Sequence, residues 1–115
     1  MAATTYDLLI EQGASFSQVV TYKEAGVAIN LTGYTARMQV RSTLESASTI
    51  VELTTANSRI TLGGAAGTIT LTISATDTAA LPAGRGVYDL ELVSGSGIAT
   101  RLLQGVCTIS RNVTR

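Results

Sequence analysis

Apolar and polar positions alternate along this chain in short runs that recur about every 8 to 12 residues. That spacing is expected of a β-sandwich or barrel. The runs fall at 6–11, 16–22, 27–29, 34–41, 49–54, 59–62, 68–73, 87–92 and 98–110. In 34–41, Ala36, Met38 and Val40 share one face while Arg37, Gln39 and Arg41 take the other, so one side is core and one is wet. Val51 and Leu53 point inward in the next run. The cleanest alternation is 68–73, with Ile69, Leu71 and Ile73 inward and Thr68, Thr70 and Thr72 outward. In 87–92, Tyr88, Leu90 and Leu92 face the core.

The punctuation between runs is equally readable. Residues 42–48 form a loop of small residues, 63–67 a flexible glycine-rich turn, and 94–97 a hairpin turn. In Asn30-Leu31-Thr32-Gly33 a polar residue can bond its own backbone, and Gly33 supplies a positive φ. Leu31 plugs one end of the sandwich, and Tyr34 begins the following strand. A helical turn is predicted over 74–81, with Ser74 capping the N–H of Asp77, and with Pro82 and Gly84 ending it. Gly105 falls where the last run shifts its alternation, which predicts a β-bulge there. The tail 111–115 either extends that strand or frays. A helical turn, a glycine and then Tyr88 entering a strand is similar to the E–F corner of immunoglobulin-like sandwiches. In that corner the tyrosine hydroxyl bonds back to the upstream backbone. The alternative for Tyr88 is an ordinary core tyrosine. The fold class read from this pattern is all-β: a single antiparallel immunoglobulin-like sandwich of seven to nine strands with one short helical turn, one domain over 1–115.

Composition narrows the function classes. The chain has 115 residues with 8 basic and 8 acidic side chains, no histidine, no tryptophan and one cysteine. Without histidine, the commonest general base and metal ligand is missing. Cys107 has no intrachain partner and reads as a small core residue. Asp89 and Glu91 lie on one strand face, but their neighbours point to solvent, so a solvated face fits them better than a catalytic pair. The serines lack a nucleophile elbow, and the glycine-rich turn lacks the lysine and helix of a phosphate loop. No catalytic, metal or cofactor-binding residue is assigned, and the expectation is a non-enzyme without cofactor. Zero net charge and no basic stripe argue against nucleic acid. No run approaches a membrane span or a signal peptide.

Binding or assembly remains. With charged residues at 14%, the surface can be buried at little desolvation cost. Arg37 and Arg41 are candidates for pairing with a partner's acidic groups, against a reading as an ordinary solvated sheet face. The ladder Thr68, Thr70 and Thr72 is either a docking surface or an aggregation-prone edge. Gly33, Tyr34, Gly84 and Tyr88 are taken as structural.

Several segments carry a resemblance. They are Asp7-Leu8-Leu9-Ile10-Glu11-Gln12-Gly13-Ala14-Ser15-Phe16, the run from Ile29 through Asn30-Leu31-Thr32-Gly33-Tyr34 to Arg41, and Gly67-Thr68-Ile69-Thr70-Leu71. Further on come Thr78-Ala79-Ala80-Leu81-Pro82-Ala83-Gly84, Val87-Tyr88-Asp89-Leu90-Glu91-Leu92, and Gly105-Val106 through the terminal Val113-Thr114-Arg115. Together they resemble small structural proteins of tailed-bacteriophage virions, and the opening is similar to the N-terminal domain of the baseplate upper protein family. The resemblance implies an immunoglobulin-like fold and a tail, baseplate or fibre-attachment adaptor. It also implies synthesis in the host bacterial cytoplasm and packing in symmetric copies against other virion proteins. Receptor binding is not carried over, because the family's helical and receptor-binding regions have no counterpart in these residues. The competing readings are a neck, collar or head decoration protein, a carbohydrate-binding adhesion module using Tyr6 or Tyr22, and a cellular domain with an unrelated partner.

Overall fold

The computed structural model describes residues 4–113. Two sheets face one another. The larger has the order β1-β11-β10-β6-β7, with β2 also on β11; the smaller has the order β3-β9-β8. In chain order the strands are β1 (Thr4–Thr5), β2 (Leu8–Glu11), β3 (Phe16–Thr21), β4 (Lys23–Glu24), β5 (Val27–Ala28) and β6 (Thr35–Arg41). They continue as β7 (Val51–Thr54), β8 (Ile60–Leu62), β9 (Thr68–Ile73), β10 (Gly84–Val93) and β11 (Ala99–Ser110). One 3₁₀ turn lies at Gly64–Ala66 and one helix, α1, at Ala75–Ala79. The grouping of β3, β9 and β8 opposite β6, β10 and β11 is the B-E-D against C-F-G arrangement of an immunoglobulin-like sandwich.

The alternation produces this architecture directly. Ile69, Leu71 and Ile73 of β9, Met38 and Val40 of β6, and Leu90 and Leu92 of β10 are all buried. They meet Ile10, Leu53, Cys107 and Ile109 in one apolar cluster between the sheets. Leu31 closes one end, with its N–H bonded to the carbonyl of Gly64 at 2.9 Å. Ser74 caps α1 by accepting from the N–H of Asp77 at 3.2 Å.

Four details depart from the sequence reading. The run at 6–11 is strand only over β2: Tyr6 and Asp7 lie between β1 and β2, and both of those strands run parallel to β11. The register shift between β10 and β11 falls at Leu90/Glu91, which leaves Leu102 as the extra residue, so the bulge is there and not at Gly105. The helix ends at Ala79, and Gly84 already belongs to β10, opposite Ile109. Finally, β9 is the middle strand of its sheet, so the threonine ladder is no sheet edge. Of the tail, 111–113 lie beyond β11, and Thr114 and Arg115 are outside the described residues.

Candidate interaction face

Pleating sends every second side chain of the larger sheet away from the core. The outer face that results can be followed row by row across β11, β10, β6 and β7. One row holds Arg101, Glu91, Arg37 and Thr54; the next holds Gln104, Asp89, Gln39 and Glu52. A third places Val106 beside Val87 and Arg41. Basic and acidic side chains thus alternate instead of forming a patch of one sign.

The face is held by its own side chains. Arg37 Nε lies 2.9 Å from Glu91 Oε1, directly across β6 and β10. Arg101 pairs with Asp89 at 3.4 Å. Gln39 donates to Glu52 at 2.7 Å. Arg41 donates to Gln39 Oε1 at 2.7 Å and to the carbonyl of Ser46 at 2.8 Å, which ties down the loop between β6 and β7. That loop carries Leu44, 82% exposed, at the rim of an open depression of about 520 Å³. Val87, Val106 and Gly105 contribute apolar lining, and Gln39, Asp89 and Arg101 contribute polar lining. These groups can donate, accept and pair charges; none places a nucleophile beside a base.

Of the candidate contact residues, Arg37 and Arg41 lie on this face. Thr68, Thr70 and Thr72 lie on the outer face of the smaller sheet, which points the opposite way. There they stand beside Ser17, Val19, Thr21 and Thr61 in register. The structure therefore does not bring the two sets together. Of the two tyrosines weighed for sugar stacking, Tyr22 is half-buried. Its hydroxyl donates to Glu24 at 2.8 Å, a bond that, with partial burial, raises its pKa above the ordinary value. Tyr6 is 43% exposed.

The structural set sits as follows. Gly33 has φ +83° in a turn closed by Tyr34 N–H to Leu31 O at 3.0 Å, and Asn30 Oδ1 accepts from the N–H of Thr32 at 3.0 Å. Tyr34 packs against the core. Tyr88 is buried, and its hydroxyl donates to upstream backbone, the carbonyl of Tyr6, far earlier in the chain. The bond fastens the N-terminal strand, a longer reach than a local corner needs.

Sequence analysis missed Leu44, Val87, Val106 and Glu52 as parts of the face. Alternation marks Val87, Val106 and Glu52 only as outward-facing, Leu44 falls in a loop where no alternation speaks, and the neighbouring strands that complete the face come from topology.

In sequence, the chain matches no protein-family model and no curated protein. In structure, it is similar to the N-terminal domain of phage TP901-1 ORF48, with TM-score 0.55 and 13% identity over 96% of this chain and 99% of that one. It is also similar to an extracellular domain of the voltage-gated sodium channel beta4 subunit, with TM-score 0.50 and 12% identity over 98% and 97%. Parallel homodimers of that domain are described as explaining its role in cell–cell adhesion. The expected likeness to the N-terminal domain of a phage protein is thus present in the fold, and the immunoglobulin-like sandwich is shared with both.

Proposed function

We propose that this chain is a non-enzymatic structural component of a tailed-phage virion, an adaptor at the tail, baseplate or fibre attachment. In this reading the residues 1–115 act as one domain, made in the host cytoplasm and packed in several copies against larger virion proteins. The observation that carries it is the match, end to end, between this chain and the N-terminal domain of a phage protein. The outer face of the larger sheet supports the same reading, because Arg37–Glu91 and Arg101–Asp89 are already paired in the sheet, which lowers the cost of covering those charges. Symmetric copies multiply a modest contact, since each added interface forms at high effective concentration.

Gold-labelled antibody against this protein, imaged on phage particles from a native-host lysate, tests the proposal. Label at the tail tip supports the adaptor. Label at the neck or capsid moves the protein to a collar or decoration role. Unlabelled particles in a lysate that contains the protein overturn the virion assignment.

A further inference from the structure

The outer face of the larger sheet complements itself under one two-fold rotation, and we infer that it packs against the same face of a second copy. Take an axis lying in the contact plane, close to the strand direction, between β10 and β6. Rotation about it lays β10 of one copy over β6 of the other, and β11 over β7. Glu91 then faces the second copy's Arg37 and Arg37 faces its Glu91, so the two intrachain pairs join into a four-charge ring. In the next row Asp89 faces Gln39 and Gln104 faces Glu52, so each carboxylate meets an amide donor. Arg101 falls over Thr54, and the stem of Arg41 falls over Val87.

No like charges meet in this arrangement. The obvious alternative, a two-fold running across the strands between those two rows, sets Glu91 against Asp89 and is repulsive. Charge placement therefore selects one isologous contact. Leu44 supplies its apolar element: it is 82% exposed beside a depression lined by Val87 and Val106, and the same rotation carries it toward the second copy's depression. Packed sheets keep their strands within about 30° of each other, which a tilt of the axis by about half that angle provides. Four strands of this length cover roughly 500 Å² per copy by strand spacing and rise. That is below the usual ~800 Å² of a stable complex, so the dimer is concentration-dependent.

This inference deepens the multi-copy part of the proposed function, and its test uses the isolated protein, so the two can fail separately. Sedimentation equilibrium up to about 1 mM should show the wild type moving from monomer toward dimer. Arg37→Glu and Glu91→Arg should each be monomeric over that range, because the rotation now opposes like charges. An equimolar mixture of the two variants should dimerise again, since each copy then presents the charge the other requires. Mixing cannot repair a defect inside one chain, so recovery reads the contact between copies. Folding of each variant is checked by its thermal transition, which should stay cooperative and fall by a few degrees, because each substitution also opposes like charges across β6 and β10 within the chain. A wild type that stays monomeric, variants that dimerise like the wild type, or a mixture that stays monomeric would each overturn the two-fold contact. Particle labelling would be untouched by any of these results.

Discussion

The hydroxyl of Tyr88 donates its hydrogen bond to the carbonyl oxygen of Tyr6, 82 residues earlier in the chain. Between them lies Gly105, opposite Tyr88 in the β10–β11 register. Because Gly105 has no side chain, the tyrosine reaches across β11 to the break between β1 and β2. At that break Tyr6 N–H bonds Gln104 O at 2.9 Å, and the Asp7 carboxylate accepts from the N–H of Val106 at 3.0 Å. The N-terminal strand is thus pinned by a side chain from each direction where its own ladder lapses. Tyr88→Phe should lower unfolding free energy by about 1–2 kcal/mol, the value of a hydrogen bond whose acceptor is left unsatisfied. Urea denaturation measures the loss. Amide exchange should quicken around Tyr6 and Gln104 more than in β9; uniform acceleration would count against local pinning.

Gly105 and Gly33 should respond to alanine for different reasons. A Cβ at position 105 would lie 2.5 Å from the Tyr6 carbonyl oxygen and 2.9 Å from Asp7 Oδ1, so β1 must move. At position 33 nothing lies within 4 Å, and only the φ of +83° opposes a side chain. Gly33→Ala should therefore cost about 1–2 kcal/mol from left-handed backbone alone. Gly105→Ala should cost at least as much, and it should also lose the tyrosine bond. Combining each with Tyr88→Phe separates the two: additive losses are expected with Gly33→Ala, and clearly sub-additive ones with Gly105→Ala.

These residues mark where sequence reading stops. The core-facing sides of β6, β9 and β10, the cap at Ser74 and the turn at Gly33 depend on neighbours a few residues away. Alternation and turn chemistry expose them. Gly105 reads as a bulge because the alternation of the last run shifts there, yet the atoms that require a glycine belong to Tyr6 and Asp7, a distant segment of the chain. The outer face of the larger sheet follows the same logic. Arg37 and Glu91 are each visible as outward-facing, but their pairing exists only because β6 lies beside β10. Alternation reveals which face of a strand is wet, while topology decides which wet side chains meet.

Thr78 is the buried polar residue of the described core. Its hydroxyl accepts from Gly13 N–H at 3.1 Å and lies 2.9 Å from the Ala14 carbonyl and 3.0 Å from that of Ala75. It therefore joins α1 to the loop between β2 and β3. Thr78→Val keeps the volume and removes the partner of both loop groups. The expected cost is about 2–3 kcal/mol, from leaving backbone groups unsatisfied. Thr78→Ser should recover most of it, apart from the missing methyl. Equal losses in the two variants would show that packing, and not the hydroxyl, makes the joint.

Alkaline titration tests the burial of Cys107. The thiol is fully enclosed by the apolar cluster, and that burial pushes its pKa from 9.0 up to about 11. Between those values the unfolded chain releases the proton and the folded chain keeps it. The folded state then binds more protons, so stability must fall as pH rises. The contribution is complete below pH 9 and fades through pH 11, with a loss of about 2 kcal/mol by that point. Tyr88, raised above 10.0 mainly by burial, adds a decline of the same sign from pH 10 upward. Comparison with Cys107→Ala removes the part that burial gives Tyr88. The smaller part that the Cys107 charge gives it is lost with the thiol and acts in the same direction. The alanine variant is less stable at neutral pH because it leaves a cavity, but its deficit should shrink steadily above pH 9. A deficit that stays constant from pH 8 to pH 11 would mean that the thiol titrates alike in both states, and that β11 is open to solvent at its centre.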